Sequence, residues 1–448
     1  MKLFTLFLVA SAVLLNSCSG KLDLIPQQNT TSETALSSDA NVKRVLRGAY
    51  DAASDPYVLG GNLMLFSELL AANGEIRWEG SYAQPREVFT KKILVTNSYV
   101  TEGWLKSFQT IHIANSVLSA LGVVAEKDRE RVKGEAQLMR ALMYFELVQL
   151  CAPPYSAGNV KAALGLPLVL SPTVSANDVK KISRNTLEET YAQIVKDMTE
   201  AEALLPATND IFLNKIVASG FLSRVYLQMG NYEKALEFAD KGIALATKNG
   251  YGLVPTYAEA FNNTINSRED LFSIQVSEQD GSNNMQLFWS VPEYGGRDGD
   301  VVVQAKHLAL YEAGDTRLAL FYISNGAARS GKWKLKYKNI PILRLAELYL
   351  TRAECNVRLS SSVGDNPAND LNLVRKRAGL SAIAGPSLPD ILHERKVELA
   401  HEGQAIHDLK RLKGQTDGLE YDAPSLVLPI PQREINASEG ILKQNTGY

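Results

Sequence analysis

Three histidines, His393, His401 and His407, share the stretch Ile391–Lys413 with Glu394, Glu398, Glu402 and Asp408. Histidine beside carboxylate is the donor set of many zinc centres. If the stretch is one helix, its rise of about 1.5 Å per residue sets the histidines roughly 12 and 9 Å apart along the axis. Zinc–nitrogen bonds of about 2.0–2.1 Å cannot gather all three from that spacing. His401-Glu402 also lacks the second histidine four residues after the first that a metalloprotease helix carries. Structural histidines are therefore expected, and no metal. No Gly-x-Ser-x-Gly elbow or Walker-type phosphate loop occurs. Glycan hydrolysis needs two carboxylates about 5–10 Å apart across the bond; acids are plentiful, but nothing in the sequence singles out a pair. Asp298 and Asp300, in a Gly-rich loop, could hold a cation, although a solvated turn is the simpler reading. The expectation is a protein that binds without catalysis and needs no cofactor.

Aromatic residues in loops carry that expectation. Trp78 and Tyr82 lie among glycines and polar residues between Asn73 and Arg86, and Trp289 and Tyr294 lie in NNMQLFWSVPEYGGRDGD, residues 283–300. The second stretch is too rich in Gly and polar residues to read as a regular element. Flat aromatic faces suit a sugar ring or the side chains of a peptide. Trp78, Tyr82, Trp289 and Tyr294 are expected to form one ligand-binding surface.

The elements that must position them are mostly helical. Within Ile391–Lys413, Leu392, Leu399 and Ile406 recur at helical spacing, while Arg395 and Glu402 enter the same stripe and Glu398 flanks it. A buried charge without a partner costs roughly 3–5 kcal/mol, so neighbouring segments must supply ion pairs. Periodicity predicts helices over residues 40–53, 63–72, 104–121, 131–150, 341–359 and 370–378. Thr186 with Glu189 forms a capping box for a helix that reaches Leu205 and stops at Pro206. Helices over 214–229 and 232–246 meet at Gly230, at spacings that resemble a tetratricopeptide repeat; one such pair cannot bury its own core, so other helices must stack on it. Phe272, Ile274 and Val276, and likewise Trp333, Leu335 and Tyr337, alternate as short strands do.

The chain has 448 residues, with 47 Lys and Arg against 49 Asp and Glu and a net charge of −2. Without a basic excess or stripe, nucleic acid is not an expected partner. Met1-Lys2 followed by Leu3–Leu15 reads as a secretory signal, too short for the roughly 20 residues of a bilayer span. Leu15-Asn16-Ser17-Cys18 then resembles a lipobox, so Cys18 is the expected site of lipidation, with a polar tether to Ser38. Cys151 and Cys355 could make one disulfide in an export route; their places, at the end of and inside apolar helical runs, favour free thiols.

Several runs resemble the SusD/RagB family of Bacteroidetes surface lipoproteins. They are Glu394-Arg395-Lys396-Val397-Glu398-Leu399, Glu402-Gly403 and Asp408-Leu409-Lys410-Arg411; Leu22-Asp23-Leu24-Ile25-Pro26 after the cysteine; Trp104 with Ala114-Asn115; and KGEAQLMRALMYFELVQL followed by Gly165-Leu166-Pro167-Leu168. Further on come Asp315-Thr316-Arg317, Lys336-Tyr337, LRLAELYLTRAE, LNLVRKRAGL, Leu428-Pro429-Ile430-Pro431 with Glu434, and a terminus containing Gln444-Asn445 and Gly447-Tyr448. Gln404, Ala405, Ile406 and His407 stand where the family usually carries a basic residue and an aromatic. The resemblance implies a mainly α, SusD-like fold with tetratricopeptide-like helix pairs, long loops and a few short β-strands. It implies a signal peptide over 1–17, a lipidated tether over 18–38 and a body over 39–448, divided into an N-terminal helical part (39–250) and a C-terminal RagB/SusD part (251–448). The implied function is capture of glycan at the cell surface and its delivery to a SusC-like TonB-dependent transporter, from an outer membrane that holds the protein by its N-terminal lipid. A RagB-like peptide binder, a structural or adhesive helical-repeat lipoprotein without small ligand, and a surface hydrolase are the alternatives.

Overall fold

A computed structural model of the protein describes residues 32–174 and 180–448. Residues 1–17, Cys18 and most of the tether lie outside the described residues; the tether's last part contains a single helical turn, Ser32–Ala35, where the sequence shows no helical period. The body is mainly helical with a few short strands. The longer helices are α1 (Asp39–Ala53), α2 (Asn62–Leu70), α3 (Ser98–Ser119), α4 (Glu126–Cys151), α5 (Leu187–Leu204), α6 (Lys215–Gln228), α7 (Tyr232–Lys248), α8 (Leu345–Leu359), α9 (Pro367–Arg377), α10 (Leu388–Glu398) and α11 (Ala405–Arg411). They stack nearly in chain order: α1 packs on α3, α3 on α4, α4 on α5, α5 on α6, α6 on α7 and α7 on α8, which carries α9 and α10. The expected capping box at Thr186 and Glu189 starts α5. Gly230, at φ 73°, turns α6 into α7, and the Asn231 side chain caps the new helix on the Lys234 N–H. The principal hydrophobic cluster draws on residues from Ala49 to Leu442 and runs across residue 250 without interruption.

Short strands complete the body. β1 (Ile76–Trp78), β3 (Val301–Val303), β5 (Ala327–Ser330) and β4 (Phe321–Ser324) form one antiparallel sheet in that spatial order. β2 (Asp270–Ile274) pairs with β6 (Ile340–Arg344). The strand predicted over Trp333–Tyr337 is absent, and the helix predicted from Pro341 starts only at Leu345, because Ile340–Arg344 is extended. Both strands of the β2–β6 pair are buried along their whole length. A strand covered on both faces has no reason to alternate, which removes the two-residue signal. Among the described residues β6 pairs with β2 alone, and an edge strand is where a sheet tolerates a proline such as Pro341.

The stretch Ile391–Lys413 is two helices, not one. α10 ends at Glu398, His401 takes a left-handed φ of 65°, and Gly403 follows at φ 80°. The last carbonyls of a helix need donors when they end away from water. Here Tyr257 Oη donates to the Glu398 carbonyl (2.6 Å), Lys332 Nζ to those of Glu398 (3.1 Å) and Ala400 (2.7 Å), and Trp333 Nε1 to that of His401 (2.8 Å). An uninterrupted helix would spend these carbonyls on its own backbone. Gly403 is required at the break: a Cβ there would meet Met64 Cα at 2.9 Å. Its N–H is held by the buried Glu68 carboxyl at 2.8 Å.

The charges of the stripe are buried and paired, as expected. Arg344 bonds Glu402 through two nitrogens (2.8 and 2.7 Å) and Glu398 at 3.0 Å, and it also meets Glu269. Arg377 joins Glu269 and Glu398, while Arg317 spans Asp315 (2.7 Å) and Glu394 (2.6 Å). Arg395 reaches Asp408 at 2.9 Å. Farther away, Arg140 grips Asp197 with two bonds and the Asn115 side chain with a third, tying α4 to α5 and α3. Tyr144 clamps the Pro-containing loop through both the N–H and the carbonyl of Val169. A last clamp closes the body: Arg184 donates to Asn445 Oδ1 at 2.7 Å, and Asn445 Nδ2 donates to the carbonyls of Cys151 and Leu428, both at 2.8 Å.

Two predictions follow from this interior. Arg344→Met leaves Glu269, Glu398 and Glu402 short of a buried partner and should lower the unfolding free energy by roughly 3–5 kcal/mol in urea titrations. Burial outweighs the two backbone donors at Glu68 and raises its carboxyl from 4.5 to about 7. A raised folded-state pKa contributes stability that is complete below the unfolded value and is lost as pH climbs through the folded one. Glu68→Gln cannot ionise, so the melting temperature of the variant minus that of the wild type should become more positive between about pH 5 and about pH 8.

Candidate functional site

Among the anticipated aromatics, only Tyr82 is exposed, at 41%. It stands just before the short helix Ala83–Phe89. Trp78 closes β1 and is 5% exposed, its ring set edge-on to Phe288 at 5.3 Å. Trp289 is fully buried, because residues 284–289 form a helical turn where the sequence predicts irregular chain. Its indole lies 4.6 Å from the His401 ring. Tyr294 is half-buried in a separate group, edge-on to Tyr322 at 5.7 Å with Lys334 Nζ 4.0 Å above its ring. The structure thus brings Trp78 and Tyr82 together through Phe288, whereas Trp289 faces the interior and Tyr294 joins a neighbouring pair. Burial corrects the reading of Trp78 and Trp289 as loop-borne, surface rings: both pack beneath the surface.

Around Tyr82 the chain builds a platform. Its ring lies 5.9 Å from Phe288 and 6.3 Å from Tyr99, and Tyr99 is edge-on to Tyr57 at 5.1 Å. Arg297 covers Tyr82 with its guanidinium 4.4 Å from the ring centre, a cation–π contact. The same guanidinium bonds the buried Asp300 carboxylate and Ser81 Oγ, which locks the loop of residues 283–300 to the strap before the Ala83–Phe89 helix. The strap is held further by Glu79 N–H on the Asp300 carbonyl at 2.7 Å and by Arg86 on the Gly80 carbonyl at 2.6 Å. Burial raises the Tyr99 hydroxyl to about 12, so it is a neutral donor and acceptor. The result is a partly exposed aromatic ring with one fixed cation over a face.

Tyr57, Tyr99, Phe288 and Arg297 were not singled out from the sequence. Tyr99 sits in the first turn of α3, capped by Asn97, and a large aromatic there is a usable sign of a ring facing a loop. In its loop Arg297, beside the acidic Asp298 and Asp300, is the group that reaches the Tyr82 ring. Asp300 is buried and paired with Arg297, whereas Asp298 is exposed as a solvated turn would have it.

Of the three histidines in the stretch Ile391–Lys413, His393 is half-buried and the other two lie in the interior. His401 and His407 are buried, and burial holds both imidazoles neutral, His407 at about 3. Among the described residues no group of histidines, cysteines and carboxylates is arranged to hold a metal. Cys151 and Cys355 are free and buried. No described helix is long and apolar enough to cross a membrane.

Comparison with known proteins agrees with this architecture. Residues 22–227 match the SusD-like family described as starch-binding and associating with the outer membrane, and residues 321–424 match the SusD family. SusD-like protein P2 of Formosa agariphila is 24% identical, with the whole of both chains covered. A SusD superfamily protein from Bacteroides thetaiotaomicron superposes with a TM-score of 0.78 at 24% identity, covering 91% of this chain and 99% of that one. A SusD-like carbohydrate binding protein from Bacteroides vulgatus superposes at 0.72 with 22% identity, over 84% of each chain. Sequence, helical stacking and relatives agree, and the chain belongs to the SusD/RagB family of outer-membrane-associated nutrient-binding proteins.

Proposed function

We propose that the protein is a lipid-anchored, surface-exposed glycan-capture protein that passes oligosaccharide to a SusC-like TonB-dependent transporter in the outer membrane. The observation that carries this reading is the exposed Tyr82 ring, packed against Phe288 and Tyr99 and covered on one face by Arg297. The part of the ring that Arg297 leaves open offers apolar area to the C–H face of a sugar at little entropic cost, and the guanidinium beside it meets ring hydroxyls. Tyr294, Tyr322 and Lys334 repeat the combination of ring and cation nearby in the fold, which suits a ligand longer than one sugar. Capture without turnover fits a site in which the nearest buried carboxylate, Asp300, is engaged by Arg297. In this reading Trp78 and Trp289 support the platform from below.

Titration calorimetry with a panel of oligosaccharides and peptides tests the site. Tyr82→Ala should weaken the best glycan by roughly thirtyfold, the scale of a lost hot spot of about 2 kcal/mol, with an unchanged melting temperature. Trp289→Ala should lower the melting temperature strongly. Peptide binding that survives Tyr82→Ala, with no glycan bound, would overturn the reading.

Anchoring rests on Cys18 in its lipobox-like run. Several acyl chains, at about 0.8 kcal/mol per buried CH₂, give stable attachment where one chain does not. Cys18→Ala should move the protein from the membrane to the soluble fraction, and gentle solubilisation of wild-type membranes should recover it with a β-barrel transporter. Unchanged fractionation without lipid mass, or recovery of the protein alone, would count against anchoring and delivery respectively.

A further inference from the structure

Between α2, α10, α11 and the segment leading into β1 lies a half-open cavity of about 380 Å³ that shares none of the platform's rings. His401 lines it, 2% exposed, its ring held 4.6 Å from both Trp289 and His307. Neither ring nitrogen has a hydrogen-bond partner among the described residues, and neither does the buried Oε1 of Gln404, which lines the same space. Native interiors satisfy nearly all buried polar atoms, so three orphaned atoms on two residues that line one cavity require an explanation. Ile76, Leu392, Leu399 and Leu409 supply apolar walls.

The charges around the cavity are already engaged. Glu75 pairs with His307 and Lys396, Arg395 pairs with Asp408, and Arg411 takes Asp408 and Glu354. Glu68 accepts the N–H groups of Gly403 and Ala405. A charged ligand would find no counter-charge free, and a hydrocarbon would leave the orphaned nitrogens and amide oxygen unpaired. A neutral imidazole offers one donor and one acceptor, the Gln404 oxygen offers another acceptor, and a hydroxyl can both give and take. The volume sits at the low end of small-ligand pockets, about 300–1,000 Å³, well below what an oligosaccharide needs.

We infer that this cavity is a second binding site, separate from the aromatic platform, for a neutral polyol or single sugar ring held by His401 and Gln404. The inference stands independently of the glycan-capture reading, because the two sites use different residues.

Calorimetric titration of the full mature protein with glucose, xylose and myo-inositol tests it, with the isotope-labelled ring nitrogens of His401 followed by magnetic resonance. At least one of the three should bind one to one and shift the His401 resonances with the same midpoint. Gln404→Leu, which removes an orphaned acceptor at nearly constant volume, should weaken that ligand at least tenfold without lowering the melting temperature. Tyr82→Ala, which disables the platform, should not move the affinity. Absence of binding by all three would show that the orphans are met by ordered water only and overturn the inference. So would binding that leaves the His401 resonances in place, or an affinity that follows Tyr82 instead of Gln404. Should Gln404→Leu fail to fold, the resonance titration on the wild type decides alone.

Discussion

The body depends on how the C-terminal end of α10 is received. A helix that stops in the interior brings a partial negative charge and unsatisfied carbonyls with it, and each needs a donor. Lys332, Tyr257, Trp333 and Arg344 provide donors from segments remote in sequence, and the carboxylates of Glu398 and Glu402 tie the same cations a second time. Removing water from so many charges is costly, and the gain returns only with good geometry. The network therefore acts less as a source of stability than as a register: a shift of one segment breaks several charge-assisted bonds at once.

That register reaches the surface. The break at His401 and Gly403 sets the imidazole against Trp289, and Trp289 ends the turn whose Phe288 supports Tyr82. Asn284 N–H bonds the Gly60 carbonyl at 3.0 Å, and Arg297 N–H bonds that of Leu287 at 2.8 Å. Rings at the exposed platform are in this way joined to the buried charges through a short series of contacts. These contacts, and not its own composition, hold the loop of residues 283–300 where it meets Tyr82.

Helix-rich architecture was legible in the sequence because a stacked helix shows water one face, and the period of its apolar residues reports that. The capping box at Thr186 and the turn at Gly230 were legible for a local reason: each needs only residues close in sequence. Reading failed where tertiary demand overrode local pattern. β6 lost its alternation because both faces are covered; the break in Ile391–Lys413 was hidden because its cause, donors from Lys332, Trp333 and Tyr257, lies far away in the chain. The site was half legible. Tyr82 is exposed as its polar surroundings suggested, whereas Trp78 and Trp289 could not be told from surface rings, since a Gly-rich stretch gives no sign of which side chains turn inward. The fold class was carried by runs spread along the whole chain that resemble one family, whereas periodicity reports single elements only.

The clamp at Asn445 carries a consequence for how the molecule is made. Cys151 at the end of α4 and Arg184 before α5 obtain partners that lie 294 and 261 residues further along the chain. Contacts of such separation form late, after the loop entropy between them has been spent. Arg184 already meets the carbonyls of Gly165 and Leu164 and, at 3.4 Å, that of Cys151, so Asn445 completes a cluster begun within the first half of the body. The early helices and the last residues of the chain are thereby fastened at one point, so that parting them breaks several buried hydrogen bonds at once.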